Sequence, residues 1–232
     1  MIFGFISRAF RKKIVEPIKY GNKEDYNVEK YWHDRFLKYD LNIKGASNDG
    51  ISEEENYRMY KWAETIFINI LRNKNLNPKT LKVLEIGLGN GFYTNIMNQL
   101  KVKNYTAIDI TNILFSKLES KFPKYSFIKK DVTQEKLEGS YDLIIMMDVI
   151  QHIVNDSKLE FAFNNIKSCL SDKGIFILTP INKKTQKHLF YIKWRSLENI
   201  KKNFEDYNIS EPIKFKGELL ITIQKSSLKS VH

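Results

Sequence analysis

The stretch VLEIGLGNGFYT, residues 83–94, runs from a short apolar segment into three glycines at alternate positions, Gly87, Gly89 and Gly91, and then into residues with helical spacing. An apolar run closed by glycines and followed by a helix is a strand–turn–helix unit, and in an open parallel sheet the first such turn is the usual ligand cradle. Glycine lets the chain turn tightly there and lets a ligand lie against bare main chain. The spacing departs from the dinucleotide fingerprint G-x-G-x-x-G, because Phe92 stands where the last glycine belongs. Glu85 precedes the first glycine by two residues. A carboxylate there does little for a phosphate and suits an ammonium or sulfonium group.

Downstream, strand-like and helix-like segments alternate. NYTAIDI, YSFIKKDV, YDLIIMMDVI and GIFILTPI read as strands; FYTNIMNQL, ILFSKLESKF and KLEFAFNNIKSCL between them read as helices. Near-continuous apolar strands separated by helices predict a doubly wound α/β sheet, mostly parallel, with right-handed crossovers. Two last strands, YNISEPIKF and ELLITIQKS, are separated by Lys216 and Gly217 and predict an antiparallel hairpin at the C-terminal edge. The domain so defined covers residues 79–232, with a polar, basic insert over 182–200 on the substrate side.

Each strand that points at the cradle ends in an acid: Glu85, Asp109, Asp131 and Asp148. One such acid is ordinarily a cap or turn residue; four on successive strands beside the glycines point to a shared site. Asp109 lies 22 residues after Gly87, near the spacing at which Rossmann-like folds place an acid on ribose hydroxyls.

VLEIGLGNG, YTAIDIT, FIKKDVT, YDLIIMMDVIQHI and LSDKGIFILTPI together resemble the successive motifs of the class I S-adenosylmethionine-dependent methyltransferases, over about residues 79–181. The resemblance implies S-adenosylmethionine as cofactor and its demethylated form as product. It implies that Glu85, Gly87, Gly89 and Gly91 hold the methionine half, that Asp109 holds the ribose, that Asp131 and Val132 hold the adenine, and that Asp148 and Val149 flank the reactive methyl, with Ile110 also among the cofactor-binding residues. No metal is required. His152, just past the fourth strand, is the candidate base for a hydroxyl acceptor; a His in this turn also serves family members by packing alone.

Residues 1–78 lie outside the resemblance and are expected to form a helical cap. NVEKYWHDRFLKY is one helix, and SEEENYRMYKWAETIFINILRN opens with a capping box, Ser52 to Glu55. Tyr26, Tyr31 and Arg35 from the cap, with Lys187, Tyr191 and Arg195 from the insert, make an aromatic and basic substrate rim suited to a sugar or an anionic small molecule. The aromatic residues, Tyr31 and Trp32 especially, are equally expected as core contacts of a covering helix. The basic, aromatic N-terminal region resembles that of methyltransferases acting on surface glycans or secondary metabolites, so polysaccharide biosynthesis is one expected setting. O-methylation is the leading reaction; N-methylation, RNA or protein methylation, and a cofactor-binding partner without catalysis stand as alternatives.

The net charge of +11 divides between two ends: six basic residues against Glu16 over 1–23, and eleven against five acids over 182–232. Two separate basic ends argue against one continuous groove for nucleic acid. Ile2, Ile6, Phe10 and Ile14 recur at spacings of four among basic residues, a pattern shared by a helix packed on its own domain and by a peripheral membrane foot. A single cysteine, Cys169, excludes an intramolecular disulfide framework. With no apolar run long enough to span a bilayer and basic residues following the N-terminal apolar ones, the expected location is the cytoplasm, at or away from the inner face of the membrane. Composition does not fix the oligomeric state.

Overall fold

A computed structural model of the chain describes residues 8–21 and 24–226. A π-helical turn, Arg11–Val15, leads into α1 (Glu16–Tyr20), followed by α2 (Val28–Tyr39), α3 (Ile43–Ala46) and the long α4 (Glu53–Asn73). Ile2 and Ile6 lie outside the described residues. The Ser52–Glu55 box forms reciprocally at the start of α4, satisfying two of the main-chain N–H groups that a helix leaves open at its first turn.

The remainder alternates β1 (Lys82–Ile86), α5 (Phe92–Gln99), β2 (Asn104–Asp109), α6 (Phe115–Lys121), β3 (Ser126–Lys129), β4 (Tyr141–Met147), a 3-10 turn (Ile150–His152), α7 (Asp156–Cys169) and β5 (Leu170–Ile181). With β8 (Tyr207–Ile209) and β10 (Glu218–Lys225), the sheet runs β3-β2-β1-β4-β5-β10-β8, β1 to β5 being parallel and β10 antiparallel to β5. Strand order reverses between β1 and β4, so the carboxyl ends of these two strands border the crevice where such sheets bind ligands.

Two segments differ from their sequence reading. YNISEPIKF divides at Pro212 into β8 (Tyr207–Ile209) and β9 (Ile213–Phe215), both paired with β10; proline lacks the N–H that an unbroken strand would need there. The basic insert is a small hairpin of its own, β6 (Gln186–Leu189) with β7 (Ile192–Trp194), ahead of α8 (Leu197–Asn203). Its charged, poorly alternating sequence carries little strand signal.

Two apolar cores sandwich the sheet, one gathering α4, α5 and α6, the other gathering α7 and α8. Phe36, Ala63 and Phe67 belong to the first, so α2 and α4 pack into the sheet domain. A third cluster joins Tyr20, Tyr26, Tyr31, Val154, Phe190 and Tyr191. It welds the cap to the insert hairpin through edge-to-face and stacked rings such as Tyr31 on Tyr191, with centroids 4.8 Å apart.

Candidate active site

The loop after β1 is held open by three left-handed glycines, with φ of 74°, 54° and 79° at Gly87, Gly89 and Gly91. A Cβ on Gly87 would stand 2.3 Å from Val149 Cγ2, and one on Gly91 would stand 2.6 Å from Leu118 Cδ2. Gly91 also caps α5. The glycines therefore serve close packing of strand, helix and the β4 turn as much as main-chain exposure.

Main chain at Gly87, Leu88 and Gly89 lines a cavity whose other walls include Asp109, Ile110, Asp131, Val132, Asp148 and Val149, with Val28, Trp32 and Phe36 of α2 roofing it. Asp109 is buried; one carboxylate oxygen accepts from the Thr111 N–H at 3.1 Å and the other from the Gly89 N–H at 3.3 Å. Burial pushes its carboxyl up to about 6, against the main-chain hydrogen bonds that hold it down. Asp131 lines the same cavity, but its carboxylate is engaged by Thr133 and Gln134, closing the turn after β3. Glu85 stands apart. It lies beneath the loop, absent from the cavity wall, and accepts from Thr94 Oγ1 at 3.0 Å, which accepts in turn from the Tyr105 hydroxyl at 3.0 Å. Burial, reinforced by the charge of Asp109, pushes the Glu85 carboxyl up to about 8. The side chain thus braces α5 against β1 and does not meet a cation in the cavity as its sequence position implied.

A second chamber of about 440 Å³ opens on the far side of a wall shared with the first cavity, and Trp32, Ala46, Tyr60, Asp148 and His152 line both. Its other walls include the loop after α3, the insert hairpin and the β9–β10 turn, with Arg35 of α2, Met59 of α4, Gln151, and Thr179 and Pro180 of β5. At its floor Lys216 ion-pairs with Asp148, and its Nζ stands 3.9 Å from the centre of the Tyr60 ring.

His152 sits in the shared wall. Its Nδ1 is 2.9 Å from the Tyr191 carbonyl oxygen, which only accepts, so Nδ1 carries the proton. Gln151 Nε2 donates to the Asp148 carbonyl at 3.0 Å and lies 3.2 Å from His152 Nε2, which therefore accepts. Both ring nitrogens are occupied. Burial, with the charges of Arg35 and Lys12 beyond it, pulls the ring down to about 3, far from the range in which a histidine exchanges protons near neutral pH.

Most of the expected rim is structural. Arg195, 1% exposed, holds Asp156 and the Ile153 carbonyl. Arg35 lines the second chamber, but its guanidinium donates to the carbonyls of Lys44, Gly45 and Ser47. Tyr26 donates to the His152 carbonyl and Tyr31 accepts from Lys12, both inside the aromatic cluster. Lys187 lies on exposed β6, away from the chamber wall. Tyr191 alone both belongs to the cluster and lines the chamber. Sequence reasoning missed Tyr60, Gln151 and Lys216; only the hairpin expected at Lys216–Gly217 carried a signal. Among the described residues, no group of three or more His, Cys, Asp or Glu side chains gathers to hold a metal ion.

The reversed-edge sheet and the cavity over its β1–β4 crevice define a class I S-adenosylmethionine-dependent methyltransferase. A model of the methyltransferase domain matches residues 53–208, and the chain belongs to that family. The match begins inside α4, ahead of the boundary expected at residue 79. Malonyl-[acyl-carrier protein] O-methyltransferase of Bacillus cereus is 26% identical over 139 residues, covering 58% of this chain and 51% of that protein. Ubiquinone biosynthesis O-methyltransferase of Rickettsia bellii is 29% identical over 141 residues, covering 55% of this chain and 54% of that one. The chain thus spans about half the length of these relatives. An S-adenosylmethionine-dependent methyltransferase of Clostridium acetobutylicum shares the fold at a TM-score of 0.60 and 16% identity, over 85% of this chain and 98% of that one.

Proposed function

We propose that the protein transfers the methyl group of S-adenosylmethionine to an oxygen atom of a small molecule or glycan precursor. The shared wall carries the reading: a cofactor-sized crevice and an acceptor-sized chamber meet at Trp32, Tyr60, Asp148 and His152, the arrangement an in-line transfer between two bound molecules needs. The first cavity fits the cofactor chemically. It offers bare main chain at Gly87 and Gly89, the two carboxylate oxygens of Asp109 for hydroxyls, and the Tyr93 hydroxyl, which is buried without a partner and lines the cavity. When bound, the cofactor supplies a methyl group already activated on a sulfonium.

The chain's own contribution is then position and dryness. Asp109 would hold the ribose, and Ile110 and Val132 would give the base apolar walls; Trp32 and Phe36 of α2 would cover the cofactor and keep water out. His152, neutral with both nitrogens engaged, shapes the wall and steers the acceptor, while its Nε2 stays committed to Gln151. Both named relatives are O-methyltransferases, which supports oxygen over nitrogen as the acceptor atom.

The test is calorimetric binding of S-adenosylmethionine and S-adenosylhomocysteine, followed by turnover across panels of hydroxyl, carboxyl, amine and RNA acceptors. Binding of a nicotinamide nucleotide in their place sinks the reading. Turnover confined to amines or RNA moves it to those acceptors, and binding without any turnover favours a regulatory partner.

A second reading concerns location. Phe10, Ile14, Val15 and Ile18 are exposed on the N-terminal helical stretch, Ile18 at 81%, beside Lys13 and Lys19. An apolar face with flanking lysines suits the surface of an anionic membrane, and no described helix is long and apolar enough to cross one. Flotation with phosphatidylglycerol vesicles tests this; recovery of all the protein in the unbound fraction at low salt ends it.

A further inference from the structure

Lys216 is out of place by the rules of its own turn. The β9–β10 hairpin closes on two residues, Lys216 and Gly217, with φ of 49° and 83°. The first position of such a turn prefers Asn, Asp or Gly, because a left-handed backbone crowds a larger L side chain against its own carbonyl. Asp148 is likewise left-handed, with φ of 59°. These two strained residues come from opposite parts of the chain and meet as an ion pair. Backbone strain held at two contacting residues is a pointer to use rather than to packing.

The location is specific. The Lys216 side chain is 8% exposed, yet it lines the acceptor chamber, lying over the Tyr60 ring. Asp148 lines both compartments. Asp148 thus stands between the two compartments, with the Lys216 ammonium on the side of the second chamber. Two residues of that chamber's wall carry a buried side-chain oxygen without a partner, Ser47 at Oγ and Gln151 at Oε1; Gln151 is 8% exposed, and its nitrogen is already committed to Asp148 and His152. A donor and an acceptor thus stand in the same dry wall. The remaining faces include Trp32, Tyr191, Trp194 and Phe215, which suit a flat ring; the other charged or titratable residues on the wall are Arg8 and Arg35, both paired with Asp49, Glu218, which accepts from Asn182, and His188.

We propose that Lys216 receives the acceptor oxygen as an anion, so that the acceptor is a ring-bearing acidic hydroxyl, a phenol or enol, and no histidine base is needed. The O–H bond breaks on binding, its electron pair stays on oxygen beside the Lys216 ammonium, and the proton leaves to solvent. The oxygen is then already nucleophilic when it faces the methyl group. Asp148 holds the ammonium charged although burial works against it, so Lys216 stays above the ordinary lysine range. This inference rests on the methyltransferase reading above.

The experiment reads ionisation directly. 4-Nitrophenol, whose phenolate absorbs in the visible, is titrated with pH against the full chain saturated with S-adenosylhomocysteine, for wild type, Lys216→Met and Lys216→Arg. Calorimetry of S-adenosylhomocysteine on each variant reports whether the first cavity is intact. We expect the bound phenol to ionise about one pH unit below its free value in wild type, a tenfold gain in the phenolate ratio. Lys216→Arg should keep most of that shift and Lys216→Met should lose it, each read at an S-adenosylhomocysteine concentration that calorimetry shows to saturate that variant, because Lys216 shares Asp148 with the first cavity. An unshifted phenol, failure of the phenol to bind, or an equal shift in Lys216→Met overturns the proposal while leaving the methyltransferase reading standing. Failure of wild type to bind S-adenosylhomocysteine removes that reading and this inference together.

Discussion

The two compartments are built by opposite strategies. The first cavity is floored by consecutive strand ends and their turns, from Gly87 after β1 to Asp148 after β4, and two of its carboxylates are fixed by neighbours close in sequence, Asp109 by Thr111 and Asp131 by Thr133. The second chamber is assembled from the loop after α3, the insert hairpin and the β9–β10 turn. Local geometry sets the floor of the first beneath its α2 roof; tertiary packing sets the second throughout. Damage to the first should therefore be severe and predictable from single residues, while damage to the second should depend on partners far along the chain.

The largest effect is expected at Gly87. An alanine there meets Val149 at 2.3 Å on a backbone with φ of 74°, combining left-handed strain with overpacking. Gly87→Ala should cost about 2–5 kcal/mol of stability, read by denaturant titration. A loss under about 0.5 kcal/mol, the level of an ordinary surface substitution, would falsify the claim that this turn is set by close packing.

Asp109 comes next. Asp109→Ala should weaken S-adenosylhomocysteine binding by about 1.5–3 kcal/mol, the usual worth of hydrogen bonds to a charged group. Because its carboxyl sits near 6 in the free protein, wild-type affinity should fall as pH drops below that value, and the Ala variant should lack the inflection. Unchanged affinity by calorimetry removes Asp109 from the ribose.

These contrasts also explain what the sequence could and could not disclose. VLEIGLGNG and the apolar β4 run announce themselves because strand, turn and helix signals fall in one short window, and the parallel direction of the sheet follows from alternation. The capping box of α4 was legible for the same reason. The rim was not. Tyr26, Tyr31, Arg35 and Arg195 look like binding residues in composition, and burial in the aromatic cluster or bonding to carbonyls is a property of where the insert hairpin folds back. Glu85 shows the same limit at shorter range. Its spacing to the glycines is legible, but whether its carboxylate turns up toward a ligand or down toward Thr94 is decided by helix packing.

Glu85 offers a smaller test through pH. Its folded value, about 8, lies above the ordinary glutamate value, so the folded state binds the extra proton. The stability this provides is complete below the unfolded value and is lost as pH rises through about 8. Wild type should therefore lose stability between about pH 5 and 8 with a limiting slope of about 1.4 kcal/mol per pH unit from this group. Glu85→Gln, which keeps an acceptor for Thr94, should flatten that slope, and parallel pH profiles for the two proteins would return Glu85 to the charged state.

His152 separates the two roles still open at the shared wall. His152→Asn preserves a donor for the Tyr191 carbonyl and removes the ring base. With any acceptor that turns over, kcat should stay within about tenfold of wild type, because a base contribution is worth about 10² or more. A loss of that larger size, with S-adenosylhomocysteine affinity unchanged, restores His152 as the base and counts against a Lys216-held anion.

The smallest effect is expected where the cap meets the sheet domain through charge. Asp25, Glu29 and Asp40 pair with Lys158, Lys129 and Lys117 across that seam, and Asp25 and Lys158 reach the edge of the first cavity. The Glu29–Lys129 and Asp40–Lys117 pairs are about half exposed on both sides, so solvent and salt screen them. Glu29→Gln should change stability by no more than about 0.2–1 kcal/mol, less at high salt. The aromatic cluster of Tyr20, Tyr26, Tyr31, Phe190 and Tyr191 spans the same seam with buried rings, and truncating one of these, Tyr31→Ala, should cost several times more. Were the ion pair to prove the costlier loss, the cap would be held by charge, and cofactor release would speed up steeply with ionic strength.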